Sequence, residues 1–397
     1  MREVVIVDVV RTASGRGKPG GALSGTHPVD LLSTVLECLV TRTGIDPASI
    51  DDVIGGCVQQ VGEQSTNLTR SAVLAAGFPE HVPATTIDRQ CGSSQQAATF
   101  AAQAIMSGFQ DIVIACGVES MSRVPMGIST FGKDFVGTKV HDRYPEGLVN
   151  QGISAELIAA QWGLSRAELD EYSARSHALS AEAVANGLFD EEIVPVAVQD
   201  ADGESRTHLV DETVRAGTTV EGLGGLSPSF RTDHYAERFP QIQWMITPGN
   251  SSPLTDGASA ALIMSAERAQ KLGLKPRARF VSFSVVGDDP LLMLTGPIPA
   301  TRKVLQHANL SIDDIDAFEV NEAFAPVPLA WARETGVPLD KLNPRGGAIA
   351  LGHALGSSGT RLLTTLVHHL EATGGRYGLQ TMCEGAGMAN ATIIERV

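Results

Sequence analysis

Ser49-Ile50-Asp51-Asp52 recurs as Ser311-Ile312-Asp313-Asp314, and this pair decides how the fold is read. Gly92-Ser93-Ser94 recurs as Gly356-Ser357-Ser358, and Cys116-Gly117 has a counterpart in Cys383-Glu384-Gly385. The offsets are 262, 264 and 267 residues. Any one match is within chance. Three in the same order at nearly constant spacing point to two copies of one unit, at the two ends of the chain. Around them, apolar strand-like runs alternate with helical periods. Residues 4–10 precede an amphipathic stretch through Leu31, Leu32, Val35, Leu36 and Leu39. Residues 53–58 lead into a helix ending near Gly77, and residues 111–116 read as a buried strand. This alternation predicts an α/β protein with a mostly parallel sheet covered by helices.

Between the copies the chain becomes more polar. Ser165-Arg166-Ala167-Glu168 is a capping-box signature, opening a helix that runs toward Gly187. Residues 217–225 and 227–239 read as irregular, ligand-facing or lid-like loops. The expected division is residues 1–120 with 251–275 as the first copy, 121–250 as an inserted loop domain, and 276–397 as the second copy.

With 43% hydrophobic and 19% charged residues, the 397-residue chain can bury a large interior, which excludes disorder as its main state. No apolar run reaches the ~20 residues of a membrane helix, and residues 1–8 read as a strand rather than a signal peptide. Thirty Lys+Arg against forty-five Asp+Glu give a net charge of −15, which argues against a nucleic-acid surface. Five cysteines, an odd count with no CxxC pair, fit a reducing cytoplasm and no structural metal.

Four clusters carry chemistry. Cys91 stands between an extended segment, residues 84–87, and a helix with Ala97, Phe100, Ala101, Ala104 and Ile105 on its apolar face. Free N–H groups at a helix start favour a thiolate there; the bland reading is a buried apolar cysteine, as for Cys38, Cys57 and Cys116. His353 lies in a glycine-rich turn before a helix, where the repeat places the counterpart of the Cys91 junction. That turn lacks the lysine or acid of a phosphate-binding loop. His368 and His369, on the helix surface, are the structural comparison. Cys383 ends a strand and enters a glycine turn whose N–H groups could form an oxyanion hole. Asn321-Glu322 interrupts an apolar strand end, either as a satisfied cap or to hold a catalytic water or an imidazole.

Taken together, Cys91-Gly92-Ser93, Asn321-Glu322-Ala323-Phe324, Gly352-His353 and Cys383-x-Gly385-x-Gly387 resemble the thiolase family, in the family's order and over the whole chain. Thr247-x-Gly249-Asn250-x-Ser252, Asp256-Gly257-Ala258 and Thr295-Gly296-Pro297 add to the resemblance. It implies two thiolase-fold domains in a five-layered αβαβα sandwich, with an inserted loop domain. By motif match Cys91 would be the acyl-carrying nucleophile, His353 its activator, and Cys383 the acid/base at the substrate α-carbon. Asn321 would hold a water, and the N–H groups of Cys91 and Gly385 would form an oxyanion hole. Ser252, Met293, Phe324, Gln151 and Arg231 would contact substrate or coenzyme A. The implied activity is CoA-dependent cleavage of a 3-ketoacyl-CoA to acyl-CoA and acetyl-CoA, or the reverse condensation, with CoA as substrate and no cofactor. The implied assembly is a homodimer or homotetramer.

The chain departs from the family pattern at Ser94-Gln95-Gln96, Ala354, Ala386, Pro253 and Gln151, none of which removes a catalytic group. Residues 230–247 form a longer loop than in short-chain members and carry Tyr235, Phe239 and Trp244. Gly62-Glu63-Gln64-Ser65, Pro79-Glu80-His81-Val82 and Gln95-Gln96 lean toward degradative members acting on fatty or sterol acyl-CoA. Two other readings stay open at this point: a ketoacyl-synthase-type condensing enzyme, which lacks a cysteine at position 383, and a non-catalytic acyl-CoA-binding or lipid-binding relative.

Overall fold

The computed structural model describes residues 2–199 and 203–397, so only Met1 of the N-terminal run lies outside it. The duplication is visible in the strand order. In the first half the spatial order is Ala84–Ile87, Asp52–Gly56, Ile112–Ser120, Thr255–Ser265, Val4–Thr12. In the second half, read from its free edge, Ala317–Val320 is followed by Tyr377–Glu384, Met388–Arg396 and Ala278–Gly287. Leu342 bridges to Phe318 in parallel and stands where the first half has Ala84–Ile87. The matching is close in detail. Cys116 pairs antiparallel with Ala260, and its counterpart Cys383 pairs antiparallel with Ala389. Val5 and Ile6 pair with Arg279 and Ala278, joining the halves edge to edge. The expectation of a mostly parallel sheet holds only for the outer strands. Both halves are mixed, because the Thr255–Ser265 and Met388–Arg396 strands enter antiparallel to their neighbours.

Five layers result. The outer helix Pro28–Thr43 buries Leu31, Leu32, Val35, Leu36 and Leu39 on the first half-sheet. The helix Pro297–Ala308 covers the second half-sheet with Ile298, Val304 and Leu305. Between the sheets lie Ser93–Met106 and Ser358–Thr373, sharing one core of Ala97, Ala101, Ile105, Leu363, Leu366 and Leu370. Small residues let these two helices meet at their starts. A side chain on Gly359 would fall 2.1 Å from the Gln95 nitrogen, and the Thr360 N–H donates to Ser94 Oγ at 3.0 Å. Two helix N-termini therefore converge at the centre of the molecule.

The long intervening stretch contains Gln151–Gln161 and Arg166–Ala185, the latter opened by the Ser165/Glu168 capping box. The segments read as irregular are partly ordered: Val220–Gly224 and Asp233–Arg238 are short helices capped by Thr219 and Thr232. His368 corrects another reading. It is buried rather than on the surface, with Nδ1 against the Thr364 carbonyl at 2.8 Å.

Candidate active site

The three groups expected to react, Cys91, His353 and Cys383, come from both copies. Cys91 sits two residues before the Ser93–Met106 helix, after Gln90 at φ +50°. His353 precedes the Ser358–Thr373 helix, the equivalent junction. Cys383 lies next to last in the Tyr377–Glu384 strand. All three are buried, at 4%, 5% and 1% exposure. Cys91 packs in one small cluster with Leu355, two residues after His353, and Met382, one residue before Cys383. Gly385 faces the same loop, since a side chain there would lie 2.9 Å from Gln90 Oε1.

The histidine's tautomer follows from its partners. Nδ1 contacts Ser358 Oγ at 2.6 Å, and that hydroxyl donates onward to the Ala354 carbonyl at 2.8 Å. The hydroxyl proton is thereby committed, so Nδ1 carries the ring proton. Nε2 is left as an acceptor facing Asn321 Nδ2 at 3.4 Å. Asn321 Oδ1 is buried with no partner among the described residues, a group suited to a water or a substrate. Burial, with the nearby Arg361 charge, pulls the imidazole down to about 3, so it is neutral at physiological pH.

The cysteines are also neutral. Burial pushes the Cys91 thiol up to about 12; Glu384 adds to this, and Glu119 and Asp88 follow. Burial, then proximity to Cys91, holds Cys383 well above the ordinary thiol range. This corrects the expectation of a resting thiolate at the helix start. Cys91 does precede a helix start, but desolvation and the neighbouring carboxyls outweigh its effect. The site thus holds two thiols and a neutral imidazole.

Residues not singled out from sequence hold the site. Glu119 ends a buried strand and accepts N–H groups from Val58 (2.9 Å), Gln59 (3.0 Å) and Gly356 (2.9 Å), tying the first copy to the His353 turn. Thr255 Oγ1 accepts the His353 N–H at 3.0 Å. Glu322, which was singled out with Asn321, is met by Tyr172 (2.9 Å), Ser176 (2.7 Å), Asn343 (2.9 Å) and the Ile349 N–H (3.1 Å). It thereby couples the intervening helix to the Asn321 segment and to the turn that leads to His353. The one signal that would have found Glu119 is a carboxylate inside an otherwise apolar strand, Ile112–Ser120.

The residues named for substrate contact fall in two places. Ser252 Oγ donates to the Ala323 carbonyl at 3.1 Å, and Ser251 bridges to Phe324. The Phe324 ring meets Phe230 edge-on at 6.1 Å. Phe230 in turn lies on Gly152, beside Gln151 at the start of its helix. Met293 is buried, at φ +53°, in the cluster that also contains Cys383. Arg231 is exposed at the edge of this region. The long loop's Phe239 and Ile242 pack on Ile153 and Leu157 of the chain's own helix, with Tyr235 and Trp244 alongside.

Comparison with known proteins agrees with this arrangement. The family described as "Thiolase, N-terminal domain" matches residues 4–267, and "Thiolase, C-terminal domain" matches residues 274–396. The steroid 3-ketoacyl-CoA thiolase FadA6 of Mycobacterium tuberculosis is 47% identical over 405 residues, covering 100% of this chain and 95% of that one. A 3-ketoacyl-CoA thiolase of Klebsiella pneumoniae is 44% identical over 402 residues, covering both chains completely. The crystal structure of the Bacillus anthracis acetyl-CoA acetyltransferase superposes with a TM-score of 0.90 at 37% identity, covering 100% of this chain and 99% of that one. A duplicated sandwich with a cysteine and a histidine at matched helix starts, and a second cysteine beside them, is the arrangement of an acyltransferase: the chain belongs to the thiolase family.

Proposed function

We propose that this chain cleaves 3-ketoacyl-CoA thioesters with CoA, passing the acyl group through Cys91. The observation that carries the reading is the His353 ring, held neutral with Nε2 open toward Asn321 at 3.4 Å, beside the loops of both cysteines. As the Cys91 sulfur attacks the keto carbon, His353 Nε2 takes its proton. The bond between the α-carbon and the keto carbon breaks, and the α-carbon of the departing acetyl-CoA enolate takes a proton from Cys383. The Cys383 thiolate then removes the proton of an incoming CoA thiol, which attacks acyl-Cys91; the Cys91 sulfur leaves as acyl-CoA is released and takes back the proton held on His353. Two thiols and one imidazole balance every proton, so the proposed chemistry calls on no metal or redox cofactor. The N–H groups of Cys91 and Gly385 would stabilise the thioester oxygen.

The substrate contacts proposed are Ser252, Met293, Phe324, Gln151 and Arg231. The aromatic Phe230–Phe324 contact and the apolar loop beside it favour an acyl group larger than acetyl, in keeping with the fatty or sterol reading. Residues 121–250 are read as the inserted loop domain between 1–120 with 251–275 and 276–397. Five free cysteines favour a reducing compartment such as the cytoplasm, and no helix among the described residues is long and apolar enough to cross a membrane. Exposed Phe131 and Phe135 favour self-association as a dimer or tetramer.

The test is intact-mass measurement after mixing with an acyl-CoA. Wild type should gain one acyl group and Cys91→Ser none. An equal adduct on the variant would sink the assignment.

A further inference from the structure

Glu384 follows Cys383 in the chain, yet its carboxyl lies beneath the loop of the other cysteine. A side-chain carbon placed on Gly92 would fall 2.1 Å from Glu384 Oε1 and 2.7 Å from Asn390 Nδ2. A side chain at position 92 would have to displace this carboxyl. Asn390 Nδ2 donates to the Gly92 carbonyl at 3.1 Å. Glu384 itself is fully buried, and neither of its oxygens has a hydrogen-bond partner among the described residues. Glu119 and Glu322, buried in the same region, are each met by three or more donors. A buried carboxylate with no donor is costly as an anion and tolerable as a neutral acid.

The charged and titratable groups facing this pair come from several elements. Asp88 and Arg89 act on Glu384 from the loop before Cys91, and the Arg89 guanidinium is turned to Met388 Sδ at 3.9 Å. Cys383 lies beside it on the strand. Glu119 and Asp88 act on Cys91 in addition to Glu384.

We propose that Glu384 is a positioning residue that works as a neutral acid, its proton keeping a negative charge away from Cys91 so that the thiol can ionise during attack. When hydroxide removes that proton, the carboxylate opposes a second anion on Cys91 and attack slows. Burial pushes the carboxyl up to about 8, which puts the change at mildly alkaline pH. The inference rests on Cys91 being the acylated thiol. It predicts that thiolysis turns down above about pH 8, where a simple thiol would only gain reactivity.

The test is the pH dependence of Cys91 alkylation by iodoacetamide, resolved from the other cysteines by peptide mass, in wild type and Glu384→Gln. At about pH 6.5 the two should react within roughly threefold of each other, and by about pH 9.5 the variant should react about tenfold faster or more. The wild-type curve alone should flatten above about pH 8. An unbroken wild-type rise from about pH 7 to 10 overturns the proposal whatever the variant does. So does a constant ratio between variant and wild type at every pH. Alkylation reads the thiolate directly, so a missing acyl adduct on Cys91 would defeat the proposed function and leave this charge coupling standing.

Discussion

At the scale of single residues, the imidazole and the thiol are tuned in a way that position in the chain does not announce. A histidine of ordinary basicity would give Cys91 acylation an acid limb near pH 6.5. His353 is held near 3 by burial and Arg361, so its base form persists well below that. Single-turnover acylation should therefore hold its rate from pH 7 down to about pH 5, and a half-maximal point near 6.5 would contradict the assignment. Ser358 fixes which ring nitrogen is free. Ser358→Ala should lower kcat roughly threefold to tenfold, the value of one hydrogen bond, with KM for the acyl-CoA little changed. The place of Cys91 at a helix start was legible from the apolar period after it. Its acidity was not, because the helix start favours a thiolate while burial, and Glu384 once it is ionised, disfavour it more strongly. Neither of those is a property of the local sequence.

At the scale of elements, the repeat was the strongest signal and the connections between elements the weakest. Cys116 and Cys383 occupy equivalent strands, as their offset implied. The antiparallel entry of the Thr255–Ser265 strand could not be read, since its partners are some 140 and 250 residues away in the chain. Side-chain clamps are equally non-local. Glu322 gathers donors from the Arg166–Ala185 helix and from the 343–349 turn, and removing it takes the acceptor from Tyr172, Ser176 and the Ile349 N–H. Glu322→Ala should destabilise the protein by about 3 kcal/mol or more and cost activity through Asn321. A variant within experimental error of wild type in urea unfolding would refute this. The turn after Cys383 carries the opposite kind of defect. Ala386 is exposed at φ +65°, where the left-handed backbone costs an L-residue about 1–2 kcal/mol. Glycine returns about 0.5–1 kcal/mol of that as chain entropy. Ala386→Gly should therefore gain roughly 0.5–1 kcal/mol, seen as a higher urea midpoint at unchanged slope.

At the scale of the whole molecule, pseudo-symmetry brings two helix starts together, and the intervening Arg166–Ala185 helix is tied to Glu322, next to Asn321. The first feature was legible because a repeated sequence must build a repeated fold. The second was legible only as a change of character, because what the intervening loops touch depends on the packed whole. Residues 230–247 show this. Their aromatics pack on Ile153 and Leu157 of the chain's own helix. Phe230 then reaches from Gly152 to Phe324, spanning the helix that bears Gln151 and the motif that bears Asn321. If this aromatic bridge walls the acyl pocket, each added buried methylene is worth about 0.8 kcal/mol, or roughly fourfold in kcat/KM. A panel of 3-ketoacyl-CoA substrates should then rise over several carbons before levelling. Gly152 is the position at which to perturb the wall, because a methyl group there would fall 2.4 Å from the Phe230 ring and push it toward Phe324. Gly152→Ala should leave acetoacetyl-CoA thiolysis within about twofold of wild type, while long-chain or ring-bearing substrates lose roughly tenfold. An equal loss on every substrate would mean that Phe230 only supports the loop. A wild-type profile that peaks at the four-carbon substrate would remove the case for a large acyl group.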